Sequence, residues 1–247
     1  MNWTGTTSPS LGGWPERPVL GFDTETTGVS VADDRIVTAA LVLRGPAGPD
    51  EVHTWLIDPG IEIPPNAAAI HGITTEYARA HGRPPATALA EIAGLLASAL
   101  SAGVPVVAYN AAFDLTILEA ELQRHGLPTL TERLGHEVSP VIDPLVLDRH
   151  VDRYRRGKRK LVDLCAVYGV DDSDGLHTAE VDVIATLDVL SAMVRRHPDL
   201  ALMELTALHT AQAEAHRAWA ENFNAWRLSR GLDGPGAELT WPLHAQT

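Results

Sequence analysis

Apolar runs separated by turn-forming residues predict a sheet in the first quarter of the chain. Residues 18–23 (PVLGFD), 36–43 and 52–57 are short apolar stretches, and the second ends at the breaker cluster RGPAGPD. The third ends at the turn sequence DPG. Three strands joined by short turns are typical of an antiparallel meander.

Farther along the chain, apolar positions follow the helical period, with short apolar runs between the helical stretches. The pattern predicts helices over residues 87–101, 112–125, 144–151, 160–168, 178–196 and 199–230. Short buried strands are predicted at residues 104–108 and 140–143. Strands followed by alternating helices and strands favour an α/β fold with a mixed sheet and helices on its faces.

The same pattern predicts one main domain with an extension at each end. Residues 1–16 are rich in Ser, Thr, Gly and Pro without a period, which is typical of a flexible lead-in. Residues 17–197 carry the alternating strands and helices, and residues 198–247 form a C-terminal helix and tail. Bulky residues in this last segment indicate that it either packs across the main domain or mediates self-association as a homodimer.

Composition indicates a globular protein of a reducing compartment. The 247 residues are 45% hydrophobic and 21% charged, which argues against wholesale disorder. One cysteine, Cys165, excludes an internal disulfide and a zinc site built on paired thiolates. The chain has no apolar run long enough to span a membrane, and its first residues lack the pattern of a secretion signal. We therefore expect a cytoplasmic protein.

The charge of the chain is unevenly distributed. The formal net charge is −13, which opposes non-specific binding of nucleic acid over the whole surface. Six of the 19 Lys and Arg residues nevertheless lie within residues 153–160. Such a run is most often a solvated face. In an acidic chain it is also a candidate contact for a single-stranded backbone, and Tyr154 could stack on a base.

A pair of acidic residues ends the first predicted strand. Asp23 and Glu25 are two residues apart, so on an extended chain both side chains project from the same face of the sheet. Unpaired carboxylates are costly to bury, so something positive should meet them. The alternative is a strand-end pair that simply reaches solvent.

Two further acidic elements stand at predicted helix starts. Asp114 follows Asn110 and Phe113, and there an acid favours the helix dipole while an Asn caps the helix or forms a turn. His177 and Asp182 open the long helix predicted over residues 178–196. Five residues correspond to about 500° of helix, so these two side chains converge only if His177 precedes the regular helix. A solvated histidine and a charged helix face are the alternatives.

Together these elements occur in the order D-x-E, N-x-x-F-D and H-x-x-x-x-D, and this order resembles the DEDDh (DnaQ-like) family of 3′–5′ exonucleases. The resemblance covers residues 18–197 and is strongest to the proofreading epsilon subunits of bacterial DNA polymerase III. It includes the phrases FDTETTG, IHGIT and NAAFD and the closing HTAEVD. It implies a ribonuclease H-like fold, a mixed five-stranded sheet flanked by helices, with a C-terminal helical extension. Other two-metal nucleases would need their acids on different elements.

The resemblance also implies roles for individual residues. Two Mg²⁺ or Mn²⁺ ions would be held by four carboxylates: Asp23, Glu25, Asp114 and Asp182. His177 would be the general base that takes a proton from the attacking water. Five residues would contact the terminal nucleotide: Thr26, Thr27, His71, Asn110 and Phe113. Turn formation, helix capping and core packing are the structural alternatives for these five residues.

The implied activity is metal-dependent hydrolysis at single-stranded 3′ ends, with release of nucleoside 5′-monophosphates. The similarity to proofreading subunits favours DNA, and a short-RNA 3′–5′ exoribonuclease of the same family is the alternative. Proofreading would require a partner polymerase, since the sequence shows no polymerase domain. A non-catalytic adaptor that binds nucleic acid on the same fold is a further alternative. Such an adaptor is expected to lack one of the acids or the histidine, and all of them are present.

Overall fold

The computed structural model describes residues 13–171 and 178–245. Its strands are β1 (Val19–Thr26), β2 (Ile36–Arg44), β3 (Glu51–Leu56), β4 (Val106–Val107) and β5 (Val141–Ile142). Its helices are α1 (Pro65–His71), α2 (Thr75–His81), α3 (Pro85–Ser101), α4 (Ala111–Arg124), α5 (Leu130–Leu134), α6 (Pro144–Val151), α7 (Leu161–Tyr168), α8 (Ala179–Arg196), α9 (Asp199–Leu202) and α10 (Leu205–Ser229). A short 3₁₀ turn, Trp14–Glu16, precedes β1.

The five strands form one mixed sheet in the order β3-β2-β1-β4-β5. β1 pairs with β2, and β2 with β3, in antiparallel orientation, which is the predicted meander. β4 joins β1, and β5 joins β4, in parallel orientation. The predicted α/β fold with a mixed five-stranded sheet flanked by helices is therefore confirmed.

Alternating side chains of the central strand β1 face two layers of helices. Leu20 and Phe22 are fully buried against apolar residues of α3 and α4. Gly21, the residue between them, lies on the opposite face of β1, which packs against α8. Only a glycine fits at this position. A Cβ atom at Gly21 would lie 2.3 Å from Cγ1 of Val183 in α8, well inside van der Waals contact. The missing side chain thus lets α8 approach the odd-numbered face of β1.

One predicted helix is wrong. The single helix predicted over residues 199–230 is two helices, α9 and α10, because Met203 and Glu204 are extended, with ψ angles of 139° and 147°. The two helices are fixed to different parts of the molecule. The carbonyl of Leu200 in α9 accepts a hydrogen bond from Trp14 Nε1 at 2.9 Å, whereas α10 contacts β5. The extended residues connect these two docking sites.

Three short helices, α1, α2 and α5, are absent from the sequence prediction. They have seven, seven and five residues, which is too few for a helical period to stand out. Their boundaries come from local signals. Gly72 and Gly135 end α1 and α5 in the left-handed conformation, and a Thr129 capping box opens α5.

The two ends of the described chain pack on the main body. Trp14 lies inside the predicted lead-in of residues 1–16, yet it is only 5% exposed and packs in the core on the α8 side of the sheet. Gln212 and Ala220 of α10 are buried as well. The division into a lead-in, a domain of residues 17–197 and an extension stays a prediction. Within the described residues, none of the helices is both apolar enough and long enough to cross a bilayer.

Candidate active site

Three carboxylates converge beside β1. Asp23 and Glu25 lie on the strand face that Gly21 leaves open to α8, as their spacing predicts, and Asp182 lies in the first turn of α8. One oxygen atom from each of these three side chains lies within 4.8 Å of the other two. The sequence separation of almost 160 residues between Asp182 and the β1 pair is thus closed by the packing of α8 on β1.

Asp114 is connected to the same cluster through Thr24, the residue between Asp23 and Glu25. It lies in the first turn of α4 and is 3% exposed. Its Oδ1 accepts hydrogen bonds from the backbone nitrogen of Thr24 at 3.1 Å and from the Thr24 hydroxyl at 2.6 Å. The charge of Asp114 raises the pKa of Asp23. The structure therefore places all four predicted acids beside residues 23–25 of β1.

Burial and mutual repulsion shift these acids toward protonation. Burial, followed by the charges of Asp114, Asp182 and Glu25, raises the pKa of Asp23 well above its usual range. Burial and the neighbouring Asp182 raise the pKa of Glu25 to about 7. Burial also raises the pKa of Asp114 to about 7, although the hydrogen bonds from Thr24 oppose that shift. In the described part of the chain, the charged neighbours that shift the pKa values of Asp23 and Glu25 are all acids.

The donor set fits hard divalent cations. In the described part of the chain, neither Asp23 nor Glu25 forms a salt bridge or a side-chain hydrogen bond. The metal-ligand cluster found among the described residues consists of carboxylates alone. Carboxylate oxygens are the ligands that Mg²⁺ and Mn²⁺ prefer, and a bound cation would relieve the repulsion between them.

Asp143 supports the site, and the sequence analysis did not identify it. This aspartate at the end of β5 is 1% exposed. Its carboxylate accepts hydrogen bonds from the backbone nitrogens of Asn110 and Ala111 at 3.1 and 3.0 Å, where α4 begins. It also caps α6 through the nitrogen of Leu145 at 2.9 Å. A single carboxylate thus fixes two helix N-termini, one of which carries Asp114.

Part of this role could have been read from the sequence. Asp143 directly precedes Pro144, and Asp before Pro is a typical start of a helix. The contact of Asp143 with the start of α4 could not have been read from the sequence, because it joins residues more than 30 positions apart. It also requires Asn110 to adopt a left-handed conformation, with φ of 61°, in which the Asn110 side chain makes no capping hydrogen bond. The helix-capping alternative for the Asn110 side chain is therefore wrong.

An open cleft of about 430 Å³ lies against the acids. Asn110 and Phe113, both predicted to contact substrate, line it together with Asp23 and Asp114. On its other side the cleft is lined by the end of the basic run, including Arg159 and Lys160. Tyr109 connects the two walls of the cleft, since its hydroxyl donates a hydrogen bond to the Arg159 carbonyl at 2.6 Å.

The other predicted substrate residues lie near the end of β1. The Thr26 hydroxyl donates to the Gly28 carbonyl at 2.6 Å, and the Thr27 hydroxyl donates to Asp34 at 2.8 Å, so both threonines hold the turn. His71, at the end of α1, is 7% exposed and its Nε2 has no hydrogen-bond partner among the described residues. Burial lowers the pKa of His71, while the adjacent Thr26 backbone opposes this shift. His71 is thus a buried ring beside the strand end, and its Nδ1 accepts a hydrogen bond from the Ile73 nitrogen at 3.2 Å.

The predicted general base, His177, lies outside the described residues. The residue after it, Thr178, caps α8, because its hydroxyl accepts from the Val181 nitrogen at 3.4 Å. The regular helix α8 therefore starts at Ala179 and includes Asp182. The role of His177 stays a prediction.

The basic run has two kinds of member. The guanidinium groups of Arg155 and Arg159 both pair with Asp148, which is fully buried in α6. These two arginines hold the segment against the domain. The remaining members, Arg153, Arg156, Lys158 and Lys160, are exposed. Within the run, this second group is the one available for a ligand.

Comparisons with known proteins agree with this geometry. Residues 20–190 match a family model described as Exonuclease (RNase_T). A DNA polymerase III of the PolC type from Streptococcus agalactiae is 31% identical over 142 residues, which are 57% of this chain and 9% of that protein. A DNA polymerase III subunit epsilon-like protein from Rhodobacter capsulatus is 31% identical over 200 residues, which are 79% of this chain and 26% of that protein. The chain therefore spans about a quarter or less of these relatives.

Solved structures show the same fold. A structure of exonuclease I aligns with a TM-score of 0.62 at 25% identity, over 74% of this chain and 42% of that chain. Escherichia coli exonuclease I in complex with a dT13 oligonucleotide aligns with a TM-score of 0.61 at 25% identity and the same coverage. The resemblance and the fold predicted from the sequence are confirmed.

Proposed function

The chain belongs to the exonuclease family whose model matches residues 20–190, and from this premise we propose that it is a metal-dependent 3′–5′ exonuclease. Its substrate is the single-stranded 3′ end of a nucleic acid, DNA in preference to RNA, and its products are nucleoside 5′-monophosphates. The observation that carries the proposal is the convergence of Asp23, Glu25 and Asp182 within 4.8 Å, with Asp114 bound to the intervening Thr24. An adaptor without activity would have no reason to retain this repulsive group.

The four carboxylates would hold the two divalent cations, Mg²⁺ or Mn²⁺. When bound, such a pair stabilises the charge of an in-line displacement at phosphorus and makes the attacking water more acidic. Asp114 is fixed by two hydrogen bonds from Thr24, and Asp182 by its place in α8, so the oxygens are positioned before the cations arrive. The raised pKa values of Glu25 and Asp114 agree with a site built for positive charge.

His177 accepts the proton of the attacking water. A histidine with an ordinary pKa near 6.5 is suited to this role around neutral pH. We therefore expect the rate of the chemical step to rise with pH from about 6 to 8 as the imidazole loses its proton. A flat profile over this range, with chemistry rate-limiting, would contradict the assignment of His177.

The terminal nucleotide lies in the cleft beside the acids. Asn110 and Phe113 line that cleft, and the buried Nε2 of His71, which is unpaired among the described residues, binds a sugar or base group. Thr26 and Thr27 act by holding the turn after β1 rather than through free hydroxyl groups. DNA is favoured because both relatives are named as DNA polymerase III proteins and because exonuclease I is the protein seen with an oligodeoxynucleotide.

Incubation of the protein with 5′-labelled single-stranded DNA and RNA tests this function. We expect stepwise shortening from the 3′ end with Mg²⁺, none with EDTA, and faster shortening of DNA. Release of the 5′ label as the first product, or cleavage that persists in EDTA, would overturn the proposal. Faster shortening of RNA would support the proposed 3′–5′ exonuclease reaction but would make short RNA, not DNA, the preferred substrate.

A further inference from the structure

A second groove lies beside the active-site cleft, on the far side of the basic run. It has a volume of about 430 Å³ and lies between α10 and the segment that begins in α6 and continues through the basic run. One wall is cationic, with Arg149, Arg153, Arg155 and Arg159. The other wall is the face of α10 that carries Trp219 and Asn222. We call this feature the basic groove.

The charge around the basic groove is opposite to that of the rest of the molecule. Residues 148–163 contain seven Lys and Arg residues and three Asp residues, in a chain with a formal net charge of −13. Arg155 and Arg159 share an ion pair with Asp148, and Arg155 also pairs with Asp152, whereas Arg149 and Arg153 form no salt bridge within the described residues. The basic groove is thus a local cationic surface able to attract a polyanion.

Aromatic rings continue the α10 wall. Trp219, Phe223 and Trp226 follow one another on one face of the helix, with successive ring centroids 5.4 and 5.9 Å apart and interplanar angles of 14° and 29°. The Arg149 guanidinium lies 3.6 Å from the centroid of Trp219 and covers one end of the row. Trp226, at the other end, is 49% exposed. The row therefore presents the bare ring of Trp226 to solvent at the end away from Arg149.

The basic groove and the active-site cleft share a wall. Arg159 lines both of them, and its carbonyl accepts the hydrogen bond from Tyr109, which lines the active-site cleft. A polymer whose 3′ end lies at the four acids could therefore continue past Arg159 into the basic groove. Trp219 and Trp226 belong to α10, beyond the residues that match the family model.

We infer that the basic groove binds the single-stranded polymer upstream of its 3′ end. Arg149 and Arg153 contact phosphates, and Trp226, the exposed end of the aromatic row of α10, stacks on an unpaired base. Grooves for single-stranded nucleic acid combine these two elements, because every base has a face that can stack and every phosphate a charge. A paired duplex cannot offer its base faces in this way. The inference rests on the proposed function and specifies how the substrate is held.

Binding of an oligonucleotide by a hydrolysis-deficient protein tests the inference. In an Asp23→Asn background, the affinity for a 20-residue oligo-dT is measured by fluorescence anisotropy over a series of salt concentrations. The test variants are Arg153→Glu and Trp226→Leu. The matched controls are Arg195→Glu, which reverses an exposed arginine on α8, and Leu228→Ala, which changes an exposed residue on α10. Thermal unfolding confirms that each variant is folded.

We expect Trp226→Leu to weaken binding roughly fivefold to 100-fold, the effect of removing one stacking platform. Arg153→Glu should weaken binding and reduce the salt slope by about 0.7 for each phosphate that the variant no longer neutralises. The controls should bind within about twofold of the parent. Binding of a trinucleotide should respond much less than binding of the 20-mer, since a trinucleotide at the acids does not fill the basic groove.

Unchanged affinity and salt slope in both test variants would overturn the inference and leave the aromatic row to a protein partner. This failure is distinct from failure of the proposed function, which is read from Mg²⁺-dependent shortening by the unmodified protein. Shortening without any effect of the two variants on binding would retain the exonuclease and remove the basic groove. Weaker binding by the variants, with no shortening by the unmodified protein, would retain the basic groove as a binding site and remove the exonuclease activity.

Discussion

Asp23, Glu25 and Asp182 repel one another, and the fold nevertheless holds their oxygens within 4.8 Å. Such an arrangement costs folding free energy unless a cation neutralises it. Most of the cost is electrostatic, so replacing a charged oxygen with a neutral amide of the same shape should remove function and relieve strain together. This separation of stability from function distinguishes a metal site from a structural acid cluster.

Asp182→Asn should reduce kcat/KM on a single-stranded oligonucleotide by more than about 100-fold, since even residues that merely orient metal ligands are typically worth 10–100-fold. Glu180→Gln is the matched control, because Glu180 is an exposed acid in the same first turn of α8. Equal loss of activity in both variants would indicate that charge at this helix end, not the ligand, is what matters.

The raised pKa values predict how stability depends on pH in the absence of metal. Glu25 and Asp114 have a pKa of about 7 in the folded protein, above their values in an unfolded chain. Between pH 4.5 and about 7 the folded state therefore binds more protons than the unfolded state. The free energy of unfolding contributed by these groups then falls as pH rises through this window.

In EDTA, Glu25→Gln should be more stable than the unmodified protein at pH 8 by about 1–2 kcal/mol, a figure reduced for the partial exposure of Glu25. The difference should vanish near pH 4.5, the ordinary pKa of a glutamate. Urea unfolding at several pH values measures it, and comparison with the unmodified protein cancels the contributions of the histidines. If the difference in free energy of unfolding does not change with pH, the charge of Glu25 is not destabilised by its acidic neighbours. Added Mg²⁺ should stabilise the unmodified protein more than the variant.

The packing of α8 on β1 is the element-level condition for this site. Gly21 lets the helix approach, because a Cβ at that position would lie 2.3 Å from Val183 and 3.1 Å from Leu187. Asp182 is the residue directly before Val183, so any retreat of the helix moves Asp182 away from the β1 carboxylates. Stability and metal binding are therefore coupled through one contact.

Gly21→Ala should destabilise the protein by about 1–3 kcal/mol through overpacking and lower its Mg²⁺ affinity. Gly94→Ala is the control, since Gly94 lies within α3 with open space where a Cβ would be placed. That substitution should raise stability by up to about 1 kcal/mol through helix propensity and leave Mg²⁺ affinity unchanged. Chemical denaturation and Mg²⁺ titration of the rate measure both effects. An unaltered Mg²⁺ requirement in folded Gly21→Ala would contradict this coupling.

Local patterns predicted most elements, and the family resemblance supplied the four acids as candidate metal ligands. The alternation of side chains along β1 suffices to place Asp23 and Glu25 on one face, because that relation is set by two residues of extended backbone. The start of α8 was similarly predictable from Thr178, whose side chain caps the helix. The period of a long amphipathic helix is visible in sequence, whereas the periods of α1, α2 and α5 are not.

Relations between distant segments could not be predicted from these patterns. The break at Met203 and Glu204 follows from two docking sites, Trp14 and β5, and neither is visible in the local sequence. The ion pairs of Arg155 and Arg159 with the buried Asp148 likewise cannot be predicted from the order of charges in the sequence. A reversal of Arg155 would therefore test folding more than ligand binding, so Arg153 is the better target.

The C-terminal segment is tied to the site across the whole molecule. Gln212 of α10 accepts a hydrogen bond from the Asp143 nitrogen at 2.7 Å and donates to the Val141 carbonyl at 3.0 Å. Trp241 Nε1 donates to the Asp143 carboxylate at 3.4 Å. Asp143 in turn holds the start of α4, which carries Asp114. The extension beyond the family match is thus part of the support of the active site.

Gln212→Ala should lower kcat several-fold with little change in KM and should weaken Mg²⁺ binding, because the support acts on Asp114 rather than on the substrate. Gln123→Ala, at an exposed position of α4, is the matched control and should match the unmodified protein. Gln212→Glu keeps the oxygen that accepts from the Asp143 nitrogen but loses the nitrogen that donates to the Val141 and Leu208 carbonyls, so it should not restore the Mg²⁺ affinity. A loss of stability with an unaltered Mg²⁺ requirement would restrict Gln212 to a structural role.

Anomalous scattering from crystals grown with Mn²⁺ and a nucleoside 5′-monophosphate measures directly whether the four carboxylates hold cations. We expect two Mn²⁺ peaks about 3.5–4 Å apart, bound by oxygens of Asp23, Glu25, Asp114 and Asp182, with the phosphate of the nucleotide bridging them. A protein that shortens oligonucleotides with Mn²⁺ but binds no Mn²⁺ at these side chains would contradict the account.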